Sequence, residues 1–326
     1  MKWRQKALIQ NVISALPASE KIYYAAQRTF GDLRSDRFDP MEWLQVAARV
    51  LQRLHSAGIP VTGKRFLEVG TGRAVGVPTA LWLCGAGRTV TVDLHRYLSP
   101  ALVAASNRYI CRDPEKIKEM FKDYCDADLF QNRVGQLLAF KGDLPAFLNL
   151  IDTEWLAPAD ARHLSFPDNS FDFHFSYAVF EHVPESIIRD ILKEAKRLLR
   201  PEGVLSHSID LSDHFAYTDN SITKINFLQF SDERWQTLAG NQYMYHNRLR
   251  APEFFRLFEE EGVFIARKAG NLDAQSLEAL KRRFPLDARF ASTSPEELAI
   301  TNINIVGSFS RTRAQQIAQT FASNKD

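Results

Sequence analysis

Cysteine is scarce in this chain, and an excess of charge of one sign is missing. Only Cys84, Cys111 and Cys125 occur in 326 residues, an odd number without a Cys-x-x-Cys pair. That pattern offers no zinc spacing and reads as ordinary thiols in a reducing compartment. Lys and Arg total 41 against 39 Asp and Glu, a formal charge of +2. So near a balance argues against the clustered basic face of a nucleic-acid binder, and no polyanionic partner is expected. No run reaches the roughly 18 apolar residues of a spanning helix. The start lacks the pattern of a cleaved signal, so a cytoplasmic protein is expected. Internal repeats are missing too.

What is present is an ordinary globular composition, 45% hydrophobic and 25% charged, in a chain long enough for one elaborated domain. Residues 1–58 read as a helical extension. Pro17 and Gly31 punctuate it, and Trp43, Leu44, Ala47, Val50, Leu51 and Leu54 recur at helix spacing. Within residues 1–16, Ile9, Val12, Ile13 and Leu16 share one helical face, with Lys2, Arg4 and Lys6 near the beginning. This suits a helix docked on the domain or on a partner, with peripheral membrane contact as the alternative.

After Gly58 short apolar runs alternate with amphipathic helices, the sign of a parallel sheet covered on both faces. The runs are Arg65–Val69, Thr89–Asp93, Glu154–Pro158, Phe171–Tyr177, Gly203–Ile209, Val263–Lys268 and Asn302–Phe309. They predict an α/β domain over 59–311, doubly wound and Rossmann-like, with a seven-stranded, mostly parallel sheet and a tail from 312 to 326. Two connections, about 94–150 and 211–250, exceed the usual loop-plus-helix length. Open parallel sheets bind ligands at the carboxyl ends of their strands, so both insertions are expected to form a substrate cover.

The sharpest motif is Phe66-Leu67-Glu68-Val69-Gly70-Thr71-Gly72-Arg73, an apolar strand running into an acid and then Gly-x-Gly. Such glycines let the backbone turn tightly against a ligand, while the next helix presents its amino end. A dinucleotide fingerprint would place its third glycine at Val75, so NAD is the poorer reading. About twenty residues on, Val90-Thr91-Val92-Asp93 ends a second strand in an acid whose carboxylate can accept both ribose hydroxyls.

Together with Ala159-Asp160-Ala161-Arg162-His163-Leu164, Phe166-Pro167-Asp168-Asn169-Ser170-Phe171-Asp172 and Arg200-Pro201-Glu202-Gly203-Val204, these segments resemble the class I S-adenosylmethionine-dependent methyltransferases. The branch most similar is that of the ubiquinone and menaquinone methyltransferases, the methyltransferase type 11 group. The resemblance covers roughly residues 62–210. It implies S-adenosyl-L-methionine as cofactor, with Glu68 ordering the glycine loop and the methionine amino end. It further implies close approach at Gly70, Thr71 and Gly72, the ribose on Asp93 beside Leu94, and the adenine at Asp160 and Ala161. Ser176, at the end of the fourth strand, completes the implied cofactor set. The family's third loop glycine has no clear counterpart at Arg73. The Asn-Pro-Pro-Tyr loop of enzymes that methylate exocyclic amines of bases is also absent, which counts against nucleic-acid substrates.

Methyl transfer is a displacement that needs positioning above all, plus a base when the acceptor is a hydroxyl. Candidate catalytic groups are His182, in the loop after the fourth strand, and Asp210, Asp213 and His214, after the fifth. A cap or loop-structuring role competes for each. These residues display no recognised metal-ligand spacing, and no metal is expected. Trp235, Tyr243, Tyr245, His246, Arg248 and Arg250 crowd a stretch that suits a glycan-like, phosphorylated or aromatic acceptor, or simply packs across the insertion. The expected activity is O-methylation of a small molecule or of a glycan or lipid precursor. Carbon methylation of a quinone-like ring is the alternative enzyme reading, and a cofactor-binding partner protein without catalysis is the alternative of another class. The sequence carries no sign of oligomeric state.

Overall fold

A computed structural model describes residues 1–17, 19, 39–241, 243 and 245–324. The break expected at Gly31 lies outside them. Helix α1 (Trp3–Ser14) is followed by α2 (Pro40–Ser56), where Asp39 accepts a hydrogen bond from the Met41 amide and Pro40 occupies the first turn. The α/β unit then runs β1 (Arg65–Val69), α3 (Gly76–Leu83), β2 (Arg88–Val92), α4 (Pro100–Arg112), α5 (Pro114–Phe121), α6 (Ala127–Ala139), α7 (Leu144–Leu150) and β3 (Thr153–Leu156). It continues with β4 (Phe171–Tyr177), α8 (Glu185–Leu198), β5 (Leu199–Asp210), α9 (Asp232–Ala239), α10 (Ala251–Glu260), β6 (Phe264–Leu272), α11 (Ala274–Lys281), α12 (Pro295–Leu298), β7 (Ile300–Ser308) and α13 (Arg311–Ser323).

The seven strands form one sheet in the order β3-β2-β1-β4-β5-β7-β6. All neighbours are parallel except β7, which is antiparallel to both β5 and β6. Every strand expected from the sequence is present. The order in which strands are added reverses between β1 and β4, so the crevice where an open α/β sheet takes its ligand opens at their carboxyl ends.

One face packs Phe66, Phe173 and Phe175 under α2, α3 and the insertion helices, through Leu51, Leu81, Val103, Phe130 and Phe147. The other carries α8 and α10. In α8 the buried residues Ile188, Ile191, Leu192, Ala195 and Leu198 recur at helical spacing, and each buried Leu or Ile contributes roughly 1.5–3 kcal/mol. The family-like acid Asp172 is a structural clamp: its carboxylate accepts from the Arg65 amide at 2.9 Å and from Arg200 Nη1 at 2.9 Å.

Three readings change in the folded chain. Cys84 and Cys125 are not free thiols but a disulfide with Cα atoms 4.5 Å apart, leaving Cys111 free. They meet because α6 packs on α3, a proximity hidden by their 41-residue separation. The stretch expected as a tail forms α13, which lays Ala314 and Ile317 on the sheet; Lys325 and Asp326 lie outside the described residues. Helices α4 to α7, expected over the substrate, instead join the layer on the α3 side, because their apolar faces complete that core.

Helix α1 docks through Trp3, Ala7 and Gln10 against α9 and the turn His214–Tyr217. Trp3 stacks on Trp235 at 5.9 Å, and its amide donates to Asp219 at 2.7 Å. Ile9, Val12 and Leu16 stay exposed. Among the described residues no helix is long and apolar enough to cross a membrane.

Candidate functional site

A cavity of about 990 Å³ opens where the sheet reverses. Its first half lies over β1 and β2. Gly70 and Gly72 turn the chain after β1 with φ of +91° and +65°, values that L side chains rarely adopt. A methyl on Gly70 would run into Val179 Cγ2, whereas Gly72 faces open space. Glu68 is buried at the end of β1, and Thr91 Oγ1 donates to its Oε2 at 2.7 Å while also lying 2.7 Å from Thr71 Oγ1. Burial pushes the Glu68 carboxyl up to about 8, against the pull of the Thr91 hydrogen bond and with a further push from Asp93.

Asp93 accepts from the Gly72 amide at 3.1 Å and from the His95 amide at 3.0 Å, so it knits the two loops and still faces the cavity beside Leu94. Asp160 and Ala161 line the same half. Arg162 clamps both oxygens of Asp160 at 2.6–3.0 Å and holds its carboxyl below the usual range. Ser176 is not a lining residue. It sits inside the sheet with Oγ 2.8 Å from His207 Nδ1, because strand alternation turns it away while Tyr177 reaches the cavity.

The second half lies over β4 and β5. After Ala178, at φ +52°, the chain makes a 3-10 turn over Phe180–His182. Asn247 pins this turn, donating from Nδ2 to the carbonyls of Phe180 at 2.7 Å and Val183 at 2.9 Å. His182 reaches the cavity with Nδ1 2.7 Å from the Tyr245 carbonyl, so Nδ1 carries the proton and Nε2 the lone pair. Its enclosed setting and the His214 ring hold this imidazole below the ordinary range.

Asp210 also lines the cavity, accepting from Tyr217 Oη at 2.5 Å and lying 3.3 Å from His214 Nε2. Hydrogen bonds from His214 and Tyr217 outweigh its burial and keep its carboxyl well below the usual range. His214 lies behind this wall rather than on it. Asp213 is buried, accepting from the Phe215 amide at 2.9 Å and Asn226 Nδ2 at 2.8 Å. It therefore caps a turn instead of facing substrate, and burial raises its carboxyl to about 6.

Several lining residues escaped the sequence reading: Glu42, Trp43 and Val46 of α2, Tyr217, Lys224, and Asn271–Asp273 at the end of β6. They share no motif and meet only through the fold. Arg248 and Arg250, by contrast, are fully buried. Arg250 donates to the carbonyls of Leu211, Leu298 and Ile300 at 2.5–2.8 Å, and Arg248 to those of Phe227 and Phe230 and to Asp232. Arg250 ties the second insertion to the start of β7, while Arg248 braces the insertion internally. Gln242, in the same stretch, lies outside the described residues.

The architecture is thus a Rossmann-like α/β protein with an acid at the end of each of β1 and β2, a glycine turn, and a deep cavity at the switch point. Residues 67–206 match the family model of a methyltransferase domain, and that stretch is the domain of an S-adenosyl-L-methionine-dependent methyltransferase. S-adenosyl-L-methionine is its cofactor, and the site fits it. The buried Glu68 lines the cavity as an acid able to meet a ligand that brings positive charge, while the glycine turn leaves space at Gly72 for close approach.

No curated protein matches the chain. Among solved structures, an S-adenosylmethionine-dependent methyltransferase from Mesorhizobium loti is similar at 15% identity, covering 81% of this chain and 99% of its own, with a TM-score of 0.41. One from Aquifex aeolicus shows 14% identity, 83% and 99% coverage and a TM-score of 0.39. One from Methanosarcina mazei shows 16%, 75% and 92%, with a TM-score of 0.41.

Proposed function

We propose that the protein methylates a hydroxyl oxygen on a small molecule or on a glycan or lipid precursor. The observation that carries this is the division of the cavity. Glu68, Asp93, Asp160 and Ala161 stand over β1 to β3, while His182, Asp210 and Tyr217 stand over β4 and β5. The first set is assigned to the cofactor: Glu68 at the methionine amino group, Asp93 at the ribose, Asp160 and Ala161 at the adenine, with Gly70, Thr71, Gly72 and Leu94 shaping the contact. The bound cofactor supplies an activated methyl carbon. The second set orients the acceptor hydroxyl and receives its proton, since a neutral imidazole beside an ionised carboxylate suits both tasks.

Trp43, Tyr97, Tyr177 and Tyr217 add aromatic surface to the walls, which favours an acceptor with a ring and keeps carbon methylation of a quinone-like ring as the second reading. The test incubates the protein with methyl-labelled S-adenosylmethionine and paired acceptors that differ only in a free or blocked hydroxyl. Label entering the free but not the blocked members supports oxygen transfer. Label on ring carbon regardless of blocking supports the second reading.

A further inference from the structure

The wall behind His182 contains an arrangement that acid–base chemistry alone does not explain. Glu181 is 0% exposed, yet neither of its carboxylate oxygens accepts a hydrogen bond. A buried carboxylate without a partner is costly and calls for a counter-charge. One ligand atom each from Glu181, His182 and His214 lies within 4.8 Å of the others, a spacing compatible with a shared metal ion. The two imidazoles are already oriented. The Tyr245 carbonyl holds His182 Nδ1 at 2.7 Å, and Asp210 Oδ2 lies 3.3 Å from His214 Nε2. His182 thereby keeps a lone pair on Nε2, the outer-shell arrangement found around metal-ligating histidines, while His214 Nε2 is buried without a hydrogen-bond partner.

We propose that Glu181, His182 and His214 bind a divalent transition cation of the Mn²⁺, Co²⁺ or Zn²⁺ class at the acceptor end of the cavity. Two imidazoles with one carboxylate favour such ions over Mg²⁺ or Ca²⁺, which prefer all-oxygen ligands. Three protein ligands leave coordination positions open, and His182, which lines the cavity beside Asp210 and Tyr217, carries the site to its wall. The function of the cation rests on the hydroxyl-acceptor reading. An acceptor oxygen bound to it loses its proton to water near neutral pH, as metal-bound water does, which takes the place of proton transfer to His182 because that ring's lone pair is then on the cation. The O–H electron pair stays on oxygen, and that oxygen forms the new bond to the methyl carbon as the bond from that carbon to the sulfonium sulfur breaks, its electron pair going to sulfur and S-adenosylhomocysteine leaving. A geminate or vicinal diol would fill two open positions, so acceptors with adjacent hydroxyls are the favoured class.

The test uses the full chain, stripped with a chelator and dialysed. Co²⁺ binding is followed by its visible absorption and Zn²⁺ binding by equilibrium dialysis, with S-adenosylhomocysteine titration in parallel as a measure of folding and of the cofactor site. One cation per chain is expected. Glu181→Gln and His214→Ala should each weaken it by more than the roughly 10–100-fold that loss of an outer-shell partner costs, while S-adenosylhomocysteine still binds. Absence of stoichiometric binding by protein that takes S-adenosylhomocysteine normally overturns the proposal, as does Co²⁺ binding indifferent to both substitutions. Hydroxyl methylation undiminished in chelator sinks the metal's role and leaves the proposed function standing. A bound cation without methylation of any hydroxyl sinks that function and leaves the site.

Discussion

Glu68 couples cofactor binding to protons. Its carboxyl is pushed from the ordinary 4.5 to about 8 by burial, so at pH 7 roughly nine molecules in ten hold the proton. The shift corresponds to roughly 5 kcal/mol disfavouring the charged form, at about 1.4 kcal/mol per unit. An ammonium arriving at this carboxylate favours ionisation and drives the proton off. Titration of S-adenosylhomocysteine at pH 7 in buffers of different ionisation heat should therefore report release of close to one proton per site. Glu68→Gln should release none and bind more weakly.

The same shift predicts a stability profile. The folded chain keeps a proton that the unfolded chain sheds from about pH 4.5 upward, so this group makes the protein less stable as pH rises to about 8, with no further change above. Unfolding free energies of Glu68→Gln from denaturant titration should match wild type near pH 4 and exceed it by a few kcal/mol near pH 9. Buffer-independent binding heats in the wild type, or proton release that persists in the variant, would refute the assignment of Glu68 to the cofactor's amino end.

Other substitutions probe separate parts of the structure. Asp93→Asn should lower S-adenosylhomocysteine affinity by roughly 10–100-fold, the value of hydrogen bonds to a charged acceptor, with the melting temperature almost unchanged; calorimetry and a thermal melt decide. Gly70→Ala should abolish cofactor binding, since the added methyl meets Val179 Cγ2 at φ +91°. The double variant with Val179→Ala should restore it only in part, because the backbone strain remains. Trp3→Ala should cost roughly 3–5 kcal/mol in urea unfolding by emptying the pocket among Phe215, Phe230 and Trp235. Arg250→Met should destabilise strongly, as three buried carbonyls lose their donor at roughly 1–3 kcal/mol each.

Periodicity and strand-end motifs determined the framework by themselves. The strands were legible because each is a short apolar run bounded by turn residues, and the cofactor half was legible because Glu68, the glycine turn and Asp93 sit at the ends of consecutive strands, where order along the chain becomes proximity in space. The tertiary structure alone decided the rest. Ser176 and Asp213 carry the right chemistry but face inward, since strand alternation and a turn cap, not residue type, set their direction. Cys84 and Cys125 meet across the α3–α6 contact, and Arg248 and Arg250 became buried ties rather than surface anchors. Glu181, His182 and His214 come from two loops after different strands. Their convergence depends on the β4–β5 pairing and on Asn247 pinning the turn, and nothing local in the sequence encodes a long-range contact of that kind.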